Sequence, residues 1–473
     1  MTTAQTSMID ALAHFAVNVQ TSGSRDEADL VAKAKLHFMD AIGVALASRT
    51  MDDHYAEKLI PAVEGLGLPP ECTVIGFPQR TGPAWAAFVN GSLIHGCDFD
   101  DSHLHRILHS ESFAVPVNLA LAESLGLTGR QAIDGWLVAT EVAIRLASGL
   151  NEPEGGDTSG SLNDLGFHTT SIFGIFGAAA AAARQLGLSS DGVATAISLA
   201  VSFASGTSEG WGEESGRHKC VQPGWAAMSG IQAAQMAQAG YDCPHTTLTG
   251  QRGLYGSHGW RDGWSPDPVT EELGESWRCL ELIFKLYPAG TKSQGPIACT
   301  QDLVFEHDIK PSEVESVEVV VPHHFASQFR PGKYESMFRP TSGYAVHSSW
   351  PCNVARMILD REVKLSHLTL EEAQNKAMLE IADKVSISLG PAGGLQTENS
   401  VTIHTTRGTF KRTRTELPGH PSVVDVEDVR RKFRQNARLV LPEADVAALE
   451  DRIGRLEEIS DITEITGLLA PKP

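Results

Sequence analysis

The stretch Glu27-Ala-Asp-Leu-Val-Ala-Lys-Ala-Lys-Leu-His-Phe-Met-Asp-Ala-Ile-Gly-Val-Ala-Leu-Ala47 places Val31, Ala34, Phe38, Ile42 and Ala45 at helical spacing. After Asp40 it turns almost wholly apolar, as a helix entering a core does. The same periodicity runs outward from about Ser7 to Glu272. Residues 176–186 are alanine-rich, and residues 225–239 keep Gln232, Gln235 and Gln238 on one side before Gly240, where a helix-terminating glycine belongs. Small residues on these helices predict close packing. An all-α bundle is expected for this half.

The texture changes after residues 260–268, which are rich in Gly, Trp, Asp and Pro. Residues 314–321 form a β-branched run, 385–388 alternate, and 401–405 pair plausibly with 409–413 through Arg407-Gly408. Helical pattern returns at about Val426 and continues towards Leu469. A chain of 473 residues also exceeds what one hydrophobic core usually serves. The expected fold is therefore mainly α. An all-α helical domain is formed by both chain ends, residues 1–272 and 421–473, with a smaller α+β lid domain of residues 273–420.

Against 38 basic residues stand 58 acidic ones, a formal charge of −20 that repels nucleic acid and anionic membrane surfaces. Neither is expected as a partner, and an anionic substrate would need basic groups concentrated at one site. Residues 1–20 lack a basic segment followed by an apolar core, so no secretory signal is expected. The longest small-apolar run, residues 173–183, is too short to span a bilayer. Seven cysteines without a CxxC pair predict reduced thiols and a cytoplasmic location, and offer no scaffold for an iron–sulfur cluster.

The chemistry concentrates in His95-Gly-Cys-Asp-Phe-Asp-Asp-Ser-His-Leu-His-Arg-Ile-Leu-His109, with four histidines and three carboxylates in fifteen positions. Such groups hold and move protons near neutral pH. Asp98, Asp100 and Asp101 cannot all ionise cheaply if buried, so at least one should pair with His or Lys or stay partly protonated. Asp98 and Asp100 could share a face. Elsewhere, His109, His168, Lys219 (in Arg217-His-Lys) and Lys285 each stand just ahead of Ser, Thr or Pro residues that favour helix first turns. Free N–H groups and the positive dipole end make such places anion-binding, so four together would suit a di- or tricarboxylate.

Other chemistries find less support. His103-Leu-His105 with His109 suggests zinc, but no second cluster supplies the remaining ligands, so no metal is expected. Ser102, Ser205 and Ser208 lie outside a G-x-S-x-G context, no Walker A loop is present, and Gly253-Leu-Tyr-Gly256 is no dinucleotide fingerprint.

Several motifs resemble the MmgE/PrpD family, which includes 2-methylcitrate dehydratase, cis-aconitate decarboxylase and iminodisuccinate epimerase. They are Gly91-Ser-Leu-Ile-His-Gly-Cys-Asp-Phe-Asp-Asp-Ser102, Gly166-Phe-His-Thr-Thr-Ser, Lys219 before Gly224-Trp-Ala-Ala, Gly230-Ile-Gln-Ala-Ala, Gly250-Gln-Arg-Gly-Leu-Tyr and Lys285-Leu-Tyr-Pro. The resemblance spans nearly the whole chain. It implies an enzyme without metal or cofactor, a homodimer acting on a small polycarboxylate. It places Asp98, Ser102 (often Thr in relatives), His109, His168, Lys219 and Lys285 in the catalytic pocket. Aligning His109 takes one extra residue after Ser102, which makes His105 a possible substitute. Arg217, Gln294 and Cys352 complete the candidate substrate contacts.

Two departures stand out. Decarboxylase-like members carry Tyr in Ser-x-x-Tyr or Ser-x-Pro-Tyr, where this chain reads Ser349-Trp-Pro-Cys352. Relatives often have His where Gly290 or Gln294 stands. Cys352 either replaces the phenol as a weak acid or is a structural thiol. The expected activity is a cofactor-independent lyase of the hydratase/dehydratase type, acting beside a carboxylate. Decarboxylation, epimerisation, a metallohydrolase using His103, His105 and His109, and non-catalytic carboxylate binding are the alternatives.

Overall fold

The computed structural model describes residues 7–471 apart from 52, 151–161, 163–164, 210–216, 259–262 and 392–397. Part of the expected composition break at 260–268 thus lies outside the described residues, as do the first six of residues 1–20.

The Glu27–Ser48 helix behaves as its sequence requires. Glu27 and Asp29 face the positive end of its dipole, one stripe is buried from Leu30, and every residue from His37 to Ser48 is buried. Its neighbour comes from the far end of the chain. The Val426–Ala437 helix crosses it at Gly43, where an added Cβ would meet the Phe433 Cα at 3.2 Å. The two chain ends share one hydrophobic core, which runs from Met8 to Leu282 and resumes from Phe433 to Leu469. Burying a side chain such as Phe38 or Phe433 stabilises it by ~1.5–3 kcal/mol.

Small residues allow the closest helix crossings, as expected. The Pro83–Ile94 and His218–Gln238 helices touch at Gly224, where a Cβ would fall 2.2 Å from the Phe88 carbonyl oxygen. This contact brings the end of one helix, which runs into His95, close to the start of the other, which carries Lys219. The expected helical run stops earlier than its periodicity suggested. Between Ala239 and Gly290 the described chain is turns and helices of four residues, because Gly and Pro interrupt the pattern.

A second core surrounds a four-stranded sheet in the order Val385–Leu389, Val314–Val321, Asn399–Thr405, Gly408–Arg414. The first pair is parallel and the others antiparallel, with Val317 opposite Val385 and Val319 opposite Val401. Val314, Val317, Val319 and Val321 face the core with Leu303, Trp350, Val354 and Ile358 of the Thr291–Glu306 and Trp350–Asp360 helices. The hairpin turn is one residue off its expected place. Thr405 pairs with Gly408, so Thr406 and Arg407 make the turn, and Gly408, at φ +141°, opens the last strand.

Candidate active site

The chain leaving the Pro83–Ile94 helix bends at Asp98, whose φ of +48° is a left-handed value that Asp tolerates better than most residues. The bend carries the Asp98 carboxylate to three buried partners. Lys285 Nζ donates to Oδ1 at 2.7 Å and to the Asp98 carbonyl at 2.9 Å, Lys219 Nζ donates to Oδ2, and His347 Nε2 lies 3.0 Å from Oδ2. Burial alone would raise the Asp98 pKa, but the two ammoniums overcome it and hold the carboxyl well below the usual range.

Beside this group lie three imidazoles. His95 is centred 5.0 Å from His109 and 5.8 Å from His168, and His109 is 6.4 Å from His168. Their tautomers follow from their partners. His109 Nδ1 sits 2.6 Å from the Asp101 carbonyl, which only accepts, so Nδ1 carries the proton and Nε2 the lone pair. Gln222 Nε2 donates to the Thr207 carbonyl, leaving Oε1 to accept from His168 Nδ1 at 2.7 Å. His95 Nδ1 donates to Asp100 at 2.9 Å. Burial, reinforced by nearby lysines, pulls His109 down to about 3 and His168 well below its ordinary value, so both are neutral near pH 7.

Behind the imidazoles is an acidic layer. His37 Nδ1 contacts Glu111 Oε1 at 2.6 Å, Ser110 Oγ donates to Asp101, and the Glu111 amide donates to Asp101 Oδ1 at 3.0 Å. Burial and the neighbouring Asp100 push Asp101 up to about 8, and burial with Asp40 and Asp101 raises Glu111 well above its ordinary value. Lys432 of the C-terminal helix secures the loop. Its Nζ reaches Asp40 at 2.8 Å and the Phe99 carbonyl at 2.7 Å.

Two sets could in principle hold a metal ion among the described residues: His95, Asp98 and His109, and His37, Asp101 and Glu111. A cation in the first would meet Lys219 and Lys285, and the oxygens of the second already accept hydrogen bonds. Neither set suits a dication as it stands.

Residues 10–265 match the MmgE/PrpD N-terminal domain and residues 287–458 the MmgE/PrpD C-terminal domain. The chain belongs to the MmgE/PrpD family. It is 25% identical over 481 residues to a cis-aconitate decarboxylase of Aspergillus terreus, covering 98% of this chain and 96% of that one. The human cis-aconitate decarboxylase is 26% identical over 465 residues, 94% of this chain and 91% of its own. The cis-aconitate decarboxylase-like protein oryM of Aspergillus oryzae is 25% identical over 466 residues, with 94% and 93% covered.

Of the residues the MmgE/PrpD resemblance singled out, Lys219 and Lys285 both contact Asp98, and His109 and His168 join the imidazole cluster. Ser102 exchanges backbone hydrogen bonds with Ile283, two residues before Lys285. The helix-start pattern holds for His109, which precedes the N-cap Ser110, and for His168, itself an N-cap. Lys219 lies inside its helix's first turn. Lys285 departs from the pattern. It sits in an extended segment held by Ser102 and Gly419, and the next helix begins only at Thr291.

The remaining expected contacts have partners of their own or lie apart from the imidazoles. Arg217 donates to Asp53 at 2.6 Å and to the Gly96 carbonyl, and its guanidinium lies over Tyr344 at 4.5 Å, which fixes the helix start. Gln294 accepts from the Leu286 and Tyr287 amides and donates to the Tyr287 and Ala289 carbonyls, so it clamps the segment after Lys285. Cys352 is packed in the second core, and burial raises its thiol to about 11. His105 is exposed and no substitute for His109, which is buried beside His95. His103 faces Glu281 at 3.1 Å, so the proposed zinc trio does not converge.

His347 escaped sequence reading. It ends the short Gly343–His347 helix in an apolar setting, and its partner Asp98 is 249 residues away. His95 was visible in the cluster, yet nothing local marked it as the centre of the imidazole group.

Proposed function

We propose that this protein is a lyase acting on a small tricarboxylate, with its own side chains as acid and base, and that its reaction is reversible loss of water from a 2-hydroxy acid. The observation that carries this reading is the His109 Nε2 lone pair, fixed by the Asp101 carbonyl, beside the Lys219–Asp98–Lys285 group. A neutral buried imidazole is the form that accepts a proton from carbon. As the C–H pair moves towards an enolate-like state, the lysines share the charge gathering on the adjacent carboxylate. The electron pair then forms the C=C bond and expels hydroxide, which leaves as water after taking a proton. His347 is suited to deliver that proton. Its Nδ1 donates to the Tyr344 carbonyl, and a proton on Nε2 would be held by Asp98. Ser102 would contact substrate, and residues 273–420 would act as a lid that excludes water.

Decarboxylation is the second reading, favoured by the relatives, which are named cis-aconitate decarboxylases. There a C–C bond breaks, carbon dioxide leaves without the bonding electron pair, and the carbanion takes a proton that one of the same imidazoles has first accepted from water at Nε2. Incubation with citrate and with cis-aconitate in heavy water, followed by NMR and carbon dioxide trapping, tests both. Interconversion with deuterium placed beside a carboxylate supports dehydration, and stoichiometric carbon dioxide supports decarboxylation. Absence of either product with a panel of tricarboxylates counts against a lyase.

A further inference from the structure

A cavity of about 60 Å³ is lined by Ser102, from the loop that follows Asp98, and by Thr291, Lys292, His324, Phe325 and Asn399 among others. It has room for a carboxylate-sized group or a pair of water molecules. Its walls are largely apolar, but several polar side chains reach it. A lysine, a histidine, a serine and an amide converge on it from the loop after Asp98, the start of the Thr291–Glu306 helix, the His323–Phe329 turn and the Asn399–Thr405 strand.

Lys292 is the informative member. Its Nζ donates to Gln328 Oε1 at 2.8 Å and lies 4.9 Å from the Trp350 ring centre, but no carboxylate contacts it among the described residues. The charges that act on it are Lys333, Asp98 and Lys219, two of the three repulsive, and burial with this repulsion lowers its pKa to about 7. His324, the other titratable wall, is lowered to about 4 by burial and by His105 and His323. An amine that lines the cavity and has no contacting carboxylate among the described residues is suited to receive an anion.

We infer that this chamber, with Lys292 as its charge, is the pocket for a second, non-reacting carboxylate of the substrate. The inference rests on the proposed polycarboxylate function. Arrival of that carboxylate would draw a proton onto Lys292 and place the reacting carbon between the chamber and the imidazoles. Specificity for a tricarboxylate over a dicarboxylate would then reside here rather than at Lys219 and Lys285.

The test is calorimetric binding of propane-1,2,3-tricarboxylate and of propane-1,2-dicarboxylate, which lacks one terminal carboxylate, to the full chain at pH 8 in buffers of different ionisation enthalpy. The unaltered protein should prefer the tricarboxylate at least tenfold and take up a proton on binding it. Lys292→Met should lose both the preference and the uptake while keeping its affinity for the dicarboxylate, and Lys292→Arg should restore the preference without the uptake. Equal weakening of both probes, or a preference unchanged in Lys292→Met, overturns the inference while leaving the lyase reading in place. Binding of neither probe by the unaltered protein removes the polycarboxylate reading and the pocket together.

Discussion

Lys285 grips Asp98 twice, through the carboxylate at 2.7 Å and the main-chain carbonyl at 2.9 Å, so a single ammonium fixes both the charge and the backbone of the His95–His109 loop. Lys219 donates to the other carboxylate oxygen. The two lysines are therefore unequal, and their replacement should separate anion binding from loop geometry.

Lys219→Ala should lower catalytic efficiency at least about tenfold, equivalent to ~1.4 kcal/mol. Asp98 keeps Lys285 and His347, so the fold should survive with a smaller stability loss than the ~3–5 kcal/mol typical of orphaning a buried charge. Urea unfolding alongside steady-state kinetics measures both. Near-normal efficiency in a folded variant would show that Lys219 has no part in anion recognition.

Asp101 ties stability to pH. Its ordinary pKa is 3.8 and the folded value is about 8, so the folded state holds the extra proton between these limits. Its stabilising contribution is complete below about 4 and is lost as pH rises through 8, by at most ~1.4 kcal/mol per pH unit. His109, depressed to about 3, acts oppositely and favours the folded state above its ordinary 6.5. Comparing urea midpoints of Asp101→Asn and the unaltered protein from pH 4.5 to 8 isolates the first effect. The variant should gain relative stability as pH rises, and parallel curves would contradict the raised pKa.

His347 and Cys352 should behave in opposite ways although only five residues separate them. His347→Gln is expected to cut kcat at least tenfold, because the group proposed to deliver a proton through Nε2 beside Asp98 is lost. Cys352→Ala should leave kcat and KM within about twofold yet lower the melting temperature, since it opens a small cavity in the second core. Loss of activity in a folded Cys352→Ala protein would return the thiol to the site.

Gln294→Ala removes four hydrogen bonds that hold residues 286–289 behind Lys285. At ~0.5–1.5 kcal/mol each, a stability loss of about 2–6 kcal/mol is expected, with lower kcat as Lys285 loosens. Thermal melts and kinetics on two substrates check this. A rise in KM with an unchanged melting temperature would instead mark Gln294 as a substrate contact.

Sequence alone carried the helical periodicity of residues 27–47, the β-branched strands, and the crowding of histidine and aspartate between 95 and 109. Each of these is local: a side-chain period of 3.6 or 2, or a density of titratable groups, is readable within one window. Which imidazole meets which carboxylate is not local. Asp98 is joined to Lys219, Lys285 and His347 across separations of 121, 187 and 249 residues. The Gly224 crossing, the Gly43–Phe433 contact and the bend at Asp98 create those meetings. The same long-range packing gives Gln294, Arg217 and Cys352 their contacts within the framework. Which partners a polar or reactive side chain meets is decided by burial against distant elements, after the chain has folded.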